Sequence, residues 1–99
     1  MIQCAIQRLR DGPELICRVQ SELGVETSNI LCAPVVPRSG WGSLVPKLHI
    51  LCDVNGVSHV IVMTSLVALP SHQLGAVVGD ASARRDDVVA AVDLLVSGF

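Results

Sequence analysis

The chain has 99 residues, a length that fits one domain, residues 1–99, with a single hydrophobic core. Hydrophobic residues make up 51% of the chain and charged residues only 16%, against about 25% charged residues in an average protein. Seven Lys and Arg against nine Asp and Glu give a formal net charge of −2, which argues against a surface that binds nucleic acid directly. The excess of apolar side chains predicts that a partner covers some of them, and a second copy in a homodimer is the simplest one.

The first residues lack the basic segment and the continuous apolar core of a signal peptide. No uninterrupted apolar stretch reaches the length that crosses a bilayer. We therefore expect a cytoplasmic protein without a membrane partner.

The four cysteines, Cys4, Cys17, Cys32 and Cys52, include no CxxC pair and have no histidine nearby at ligand spacing. The sequence therefore predicts no metal site and no cofactor. Each cysteine falls on an alternating apolar face, which is typical of buried free thiols in strands. A cysteine nucleophile would need a base within hydrogen-bond reach, and the sequence offers His49, His59 and His72 without placing any of them.

Residues 2–8 alternate like a half-buried strand, and residues 15–20 continue as a second strand after a turn at Asp11-Gly12-Pro13. Residues 24–29 are predicted to form a loop, and residues 30–36 a third strand that closes at Pro37. Residues 37–43 are rich in Gly, Pro and Ser and contain the only tryptophan, Trp41. This composition predicts a flexible surface loop, with Trp41 either tucked under it or exposed. Burial or packing against the loop is favoured over a role at an interface, where tryptophan is also common.

Residues 47–54 and 57–63 flank Asn55-Gly56, which is a strong signal for a two-residue hairpin turn with positive φ at both positions. Residues 66–69 add a short strand that Pro70 ends. Together these segments predict five or six antiparallel strands.

The last third changes to a helical period. Ser82 is predicted to cap a helix, with Asp86 and Asp87 in its first turn, where the helix dipole favours negative charge. Gly98 is suited to the position just past the helix end. The stripe that should pack on the sheet consists of Val88, Val92 and Leu95, with Val89 and Val96 beside them. Arg84, Arg85 and Asp93 fall outside this stripe.

Several short segments in order resemble the CcdB toxin family of bacterial toxin–antitoxin modules. They are RVQSEL (18–23), APV (33–35), VPKLHI (45–50), TSLVALP (64–70) and LGAVVGDASARRDDVVAAVDLLVSGF (74–99). The resemblance runs from the first strand to the last residue. It implies a mainly β fold with a C-terminal α-helix, as an SH3-like antiparallel β-barrel of the CcdB and MazF type.

The resemblance also implies a function. CcdB proteins are homodimers and are not enzymes. They bind the A subunit of DNA gyrase and trap the complex of gyrase with cleaved DNA. A cognate antitoxin, similar to CcdA, neutralises them, and the toxin–antitoxin assembly represses its own operon through DNA contacts of the antitoxin.

The gyrase-binding residues that the resemblance implies lie in two segments. They are Asp93, Val96, Ser97, Gly98 and Phe99 at the helix end, and Leu23 and Gly24 after the second strand. Ser97 stands where well-studied toxins of the family have tryptophan, and Asp93 stands where they have asparagine. The resemblance assigns no antitoxin-binding residues to this chain.

Two alternatives stay open. One is a CcdB-like homologue that binds an antitoxin but does not poison gyrase. The other is a ribonuclease toxin of the MazF type, which shares the barrel but needs a basic groove and a general acid or base. The net charge of −2, with arginines clustered only at Arg84 and Arg85, opposes the ribonuclease.

Overall fold

Seven antiparallel strands precede one α-helix in the computed structural model, which describes residues 2–98. Short 3₁₀ turns at Met63–Ser65, Ser71–Gln73 and Ser82–Arg84 connect the later elements. Among the described residues, no helix combines the length and the apolar character that crossing a membrane requires. The strands are β1 (Ala5–Leu9), β2 (Leu15–Arg18), β3 (Asn29–Pro37), β4 (His49–Val54), β5 (Val57–Val62), β6 (Val67–Pro70) and β7 (Leu74–Asp80), and the helix is α1 (Arg85–Ser97).

The strands form one sheet in the order β4-β5-β3-β2-β1-β7, and β6 pairs with the first half of β3. Cys17 lies opposite Ile6 on β1 and opposite Ala33 on β3, while Ile61 lies opposite Val35 and Ile50. Because side chains alternate between the faces of a strand, these rows put their apolar residues together in the main core. The predicted mainly β fold with a C-terminal helix is confirmed.

The predicted barrel is open along one side. Strands β4 and β7 are the two edges of the sheet, and no ladder joins them within residues 2–98. After Asp80 the chain turns away from β4 into the 3₁₀ turn and α1. The Arg84 side chain spans the opening instead, and its Nε donates a hydrogen bond to the Leu51 carbonyl at 2.9 Å.

Both faces of the sheet bury apolar side chains. The main cluster lies under α1 and includes Ile6, Val35, Ile61, Met63 and Val88. A smaller cluster, formed by Ile16, Ile30, Cys32 and Leu74, covers the other face. The sheet therefore carries an apolar cluster on each face, and the helix packs on the larger one.

The hairpin between β4 and β5 is confirmed. Asn55 and Gly56 adopt φ of 52° and 80°, and Val54 pairs with Val57, as the two-residue turn requires. The loop packing expected of Trp41 is also found. Its half-buried ring meets the His49 ring edge-on at 5.2 Å, and Arg38 donates to the Trp41 carbonyl at 3.0 Å.

Strand β7 is absent from the prediction of five or six strands. Gly75 allows β7 to approach β1 closely, since a Cβ on this residue would lie 2.7 Å from the Arg8 carbonyl oxygen. The β1–β7 ladder shifts register on both sides of Gln7, whose Nε2 donates to the Gly75 carbonyl at 2.9 Å. A side-chain amide thus supports the irregular part of the ladder.

The prediction that Ser82 caps α1 is wrong. Its hydroxyl and its backbone N–H both bond to the Asp80 carboxylate, at 3.1 and 2.8 Å. The helix begins three residues later, at Arg85, without a side-chain cap at Arg84. The acidic first turn, Asp86 and Asp87, is confirmed.

The predicted apolar stripe of α1 is correct only in its first half. Val88 and Ala91 are fully buried and Val92 is half-buried, whereas Val89, Leu95 and Val96 are exposed. Val96 retains 81% of its accessible surface. The sheet therefore supports the helix up to about Val92, and the last turn lies clear of the core.

The cysteines are free thiols, and Cys4, Cys17 and Cys32 are buried as predicted, while Cys52 is only half-buried. Burial raises the pKa of Cys32 and of Cys52 to about 11, and a hydrogen bond with Cys4, together with burial, raises the pKa of Cys17. The same hydrogen bond from Cys17 lowers the pKa of Cys4. The raised thiols stay protonated at neutral pH, a state that suits core packing rather than nucleophilic attack.

Replacing Gly75 with Ala should destabilise the protein by about 1–3 kcal/mol, because the added methyl group would press on the Arg8 backbone. The matched control is Gly42→Ala, where a Cβ meets nothing within 4 Å, and its effect should stay within about 0.5 kcal/mol. Urea denaturation of both variants measures the difference. Equal midpoints would contradict the close approach of β7 to β1.

Stability should fall as the pH rises from about 9 to about 11. Unfolded thiols ionise near their ordinary value of 9.0, whereas Cys32 and Cys52 in the folded protein ionise near 11. In this window the folded state binds more protons than the unfolded state, so the free energy of unfolding decreases with pH. Cys17, whose pKa is also raised, adds to this loss, whereas Cys4, whose pKa is lowered, acts mainly below pH 9. The chain has no tyrosine.

Denaturant midpoints at several pH values check this expectation. The Cys32→Val variant should lose less stability than the native chain between pH 9 and 11, because one titrating thiol is gone. An identical pH slope for the two proteins would contradict the assignment to Cys32.

Candidate functional site

The last turn of α1 ends in a glycine cap. Gly98 adopts φ 81° and ψ 12°, and its N–H donates to the Leu94 carbonyl at 2.9 Å. Glycine adopts this left-handed conformation without the steric cost of a Cβ. The predicted role of Gly98 just past the helix end is confirmed, and the cap fixes the direction in which the chain leaves the helix.

Asp93, Val96, Ser97 and Gly98 are all exposed. Asp93, Val96 and Ser97 are three and four positions apart, so they share one side of the last turn. The Ser97 hydroxyl donates to the Asp93 carbonyl at 2.6 Å, which ties this side chain to its own helix. Phe99 lies outside the described residues.

The second predicted segment lies in the loop between β2 and β3. Leu23 and Gly24 are exposed at its tip, and the neighbouring Val25 retains 72% of its surface. Gly24 has φ 78°, so the tip bends where glycine is favoured.

The base of this loop is held by side-chain hydrogen bonds. Gln20 donates to the Thr27 hydroxyl at 2.9 Å and accepts the Leu31 N–H at 3.1 Å. Arg18 pairs with Glu26 at 3.3 Å. These bonds hold the base of the loop in place below its exposed apolar tip.

A groove of about 400 Å³, called here the helix groove, separates the two predicted segments. Gln20 and Ser21 line it on the loop side and Asp93 on the helix side. The same Gln20 and Ser21 also line a smaller depression of about 260 Å³ that contains Leu23 and Gly24. Gln20 and Ser21 thus connect Asp93 of the helix-end segment with the loop tip at Leu23 and Gly24. The sequence did not indicate these two connecting residues.

The walls of the helix groove are mostly apolar. Val88, Val89 and Val92 come from α1, Leu31 comes from β3, and Val19 directly follows β2. Arg85 and Asp93 lie along the helix side and carry opposite charges. Within residues 2–98 neither of them forms an ion pair. The groove therefore offers apolar contacts with no net charge.

The largest groove, of about 480 Å³, lies on the other side of α1. Lys47, His49 and Arg84 face it, together with Asp87 and Asp93. Arg84 pairs with Asp87 at 3.3 Å, so part of its positive charge is already balanced. This groove is of mixed charge rather than basic.

Within residues 2–98, no hydrogen bond joins a histidine to a cysteine. His49 Nδ1 accepts the Val45 N–H at 2.8 Å, His59 Nδ1 bonds to the Val57 carbonyl at 2.8 Å, and His72 is exposed. No group of three or more His, Cys, Asp or Glu in the described part of the chain is arranged to hold a metal ion.

Comparison with protein families assigns the chain to a known family. The family model described as CcdB protein matches residues 6–98, while no curated protein is significantly similar to the chain. The match covers all of α1 and all strands apart from the first residue of β1. It also covers both segments of the candidate surface apart from Phe99. The chain therefore belongs to the CcdB family of toxins from toxin–antitoxin modules.

Proposed function

We propose that this chain is the toxin of a type II toxin–antitoxin module and that it binds the A subunit of DNA gyrase and traps gyrase on cleaved DNA. The protein acts in the cytoplasm as a homodimer, performs no catalysis itself, and is neutralised by a cognate CcdA-like antitoxin. The contact residues are Leu23, Gly24, Asp93, Val96, Ser97, Gly98 and Phe99.

The observation that carries this proposal is the exposure of the last helical turn. Val96 keeps 81% of its surface, although an apolar side chain on a helix packed against a sheet is normally drawn into the core. Exposed apolar groups that cluster beside polar ones are typical of surfaces that bind other proteins. Leu23 and Val25, on the other side of the helix groove, extend this surface.

The dimer is supported by composition and by exposed apolar residues outside the candidate surface. Val57 and Val77 retain 54% and 53% of their surface, and a symmetric partner would cover some of this area. DNA is reached only through the antitoxin in this proposal. The net charge of −2 is consistent with such an indirect role, because direct phosphate binding needs a basic face.

The ribonuclease alternative gains no support from the largest groove. There Asp87 and Asp93 stand opposite Lys47, His49 and Arg84, and a strand of RNA would meet both carboxylates. RNA-binding grooves are positively charged along the path of the backbone. The gyrase poison therefore remains the function that the geometry supports best.

A homologue that binds an antitoxin but does not poison gyrase is the second candidate, and Ser97 is the observation that favours it. Serine cannot provide the stacking surface of an aromatic side chain, and here its hydroxyl is occupied by the Asp93 carbonyl. Removing an aromatic hot spot typically costs 2 kcal/mol or more. A gyrase contact in this chain must therefore draw on other residues of the surface.

The proposal predicts that the purified protein makes gyrase from the same organism accumulate cleaved plasmid DNA. Linear plasmid, released with detergent and protease after incubation with ATP, measures the effect. Binding of the gyrase A subunit without cleaved DNA would support the second candidate instead. Specific cleavage of a labelled RNA by the protein alone would contradict both.

Replacing Gly98 with Asp should raise the protein concentration needed for gyrase trapping by roughly tenfold or more, because the new charge enters the contact surface. The matched control is Gly40→Asp, since Gly40 also has φ 81° and free space at its Cβ. Both variants place the same side chain in a left-handed conformation that costs about 1 kcal/mol.

Thermal denaturation should therefore show a similar loss for the two variants, roughly 4–8 °C for each kcal/mol. Only Gly98→Asp should lose trapping. Equal activity of the two variants would remove Gly98 from the contact surface, and a much larger loss of stability for Gly98→Asp would assign it a structural role alone.

A further inference from the structure

A groove beside the turn between β1 and β2, called here the proline groove, contains no positive charge. Its volume is about 380 Å³, with apolar walls from Pro13, Leu15, Pro34 and Pro37 and polar side chains from Glu14 and His59. None of the seven Lys and Arg residues of the chain lines it. It shares no residue with the helix groove or with the depression beside the loop tip, so an occupant would bind apart from the candidate gyrase surface.

His59 gives this groove one free hydrogen-bond acceptor. The residue is 8% exposed, and its Nδ1 bonds to the Val57 carbonyl at 2.8 Å. Because a carbonyl only accepts, Nδ1 carries the proton, and Nε2 of the neutral ring keeps its lone pair. Nε2 bonds to no other residue within 2–98, and it is not one of the unpaired polar atoms that are closed off from solvent. A ligand in the groove can therefore reach it.

Glu14 and the prolines also favour a ligand that donates. Glu14 is exposed and forms no ion pair within residues 2–98. Pro13, Pro34 and Pro37 have carbonyl groups but offer no backbone N–H. An anionic ligand would therefore meet the Glu14 charge and find no cation to pair with. A cation would find both a carboxylate and the ring nitrogen of His59.

We propose that the proline groove receives an arginine side chain of a partner protein, whose guanidinium donates to His59 Nε2 and pairs with the Glu14 carboxylate. The guanidinium is planar, weakly hydrated and rich in donors, and the aliphatic stem of arginine packs along apolar surface. Leu15 and Pro34, which are both half-buried, provide such a surface in the groove.

Other side chains fit this groove less well. The ammonium group of lysine is compact and strongly hydrated, so it would lose more hydration on entering between the prolines. An apolar side chain would cover Nε2 without bonding to it, which leaves a desolvated acceptor unpaired. A carboxylate would need a protonated His59 and would still face Glu14.

Titration of ¹⁵N-labelled protein with N-acetylargininamide tests the groove by NMR. The backbone amides of Leu15, Val36 and His59 and the ring nitrogens of His59 should shift together and saturate. N-acetylcitrullinamide has the same length but a neutral urea in place of the guanidinium, and it should bind roughly tenfold more weakly because the charge and one donor group are lost. Equal affinity of the two probes, equal affinity for N-acetyllysinamide, or no shift at these residues up to the solubility limit would overturn the inference.

Substitutions locate the contact within the groove. Glu14→Gln should weaken binding of the arginine probe by roughly twofold to fivefold. The matched control is Asp11→Asn, which removes the same charge at an exposed residue outside the groove and should not change the affinity. His59→Phe keeps a ring but removes the acceptor, and it should weaken binding roughly tenfold.

If His59→Phe does not fold, Glu14→Gln and the comparison of the probes on the native chain still decide the question. Full affinity of folded His59→Phe, or equal effects of Glu14→Gln and Asp11→Asn, would overturn the inference.

A second copy of the chain is the competing occupant of the groove. In that case the amides of Leu15, Val36 and His59 would shift with protein concentration in the absence of any probe, and this result would overturn the inference. Gyrase does not enter these measurements, so the presence or absence of cleaved plasmid leaves the result at the proline groove unchanged.

Discussion

The packing of Val88 and Ala91 against the sheet determines which residues at the end of α1 remain exposed. These two fully buried residues fix the first half of α1 over the main core. Once they are in place, the helical rise carries Val96 and Ser97 beyond the last side chain that could cover them. The helix end is thus exposed because the core does not extend beneath it. The glycine cap at Gly98 then ends the helix in solvent.

Local signals in the sequence were sufficient for some elements. The Asn55-Gly56 turn, the Gly98 cap and the acidic first turn of α1 each depend on a few neighbouring residues, and all three are found. Ser82 shows where such reasoning fails. Its hydroxyl donates to the Asp80 carboxylate two residues before it, and α1 begins only at Arg85, so Ser82 does not stand at the helix start.

Features that depend on distant residues were harder to predict. Strand β7 was not predicted, and the close approach of its Gly75 to the Arg8 backbone becomes visible only in the β1–β7 pairing. The periodicity of α1 gives the apolar side of the helix but not the point at which the sheet ends beneath it. For the candidate surface, the family resemblance named the residues at the helix end and the loop tip. The groove between them depends on how the chain after β2 and the helix come together.

The opening between β4 and β7 has a consequence for how the molecule behaves in a crowded cell. An uncovered strand edge offers free backbone groups to which an extended chain of another molecule can attach, and this is a common route to aggregation. Arg84 occupies the Leu51 carbonyl on that edge with a charged, solvated side chain. One backbone acceptor of that edge is therefore already paired, and a charged side chain placed at an open strand edge is one of the ways in which proteins discourage pairing with other chains.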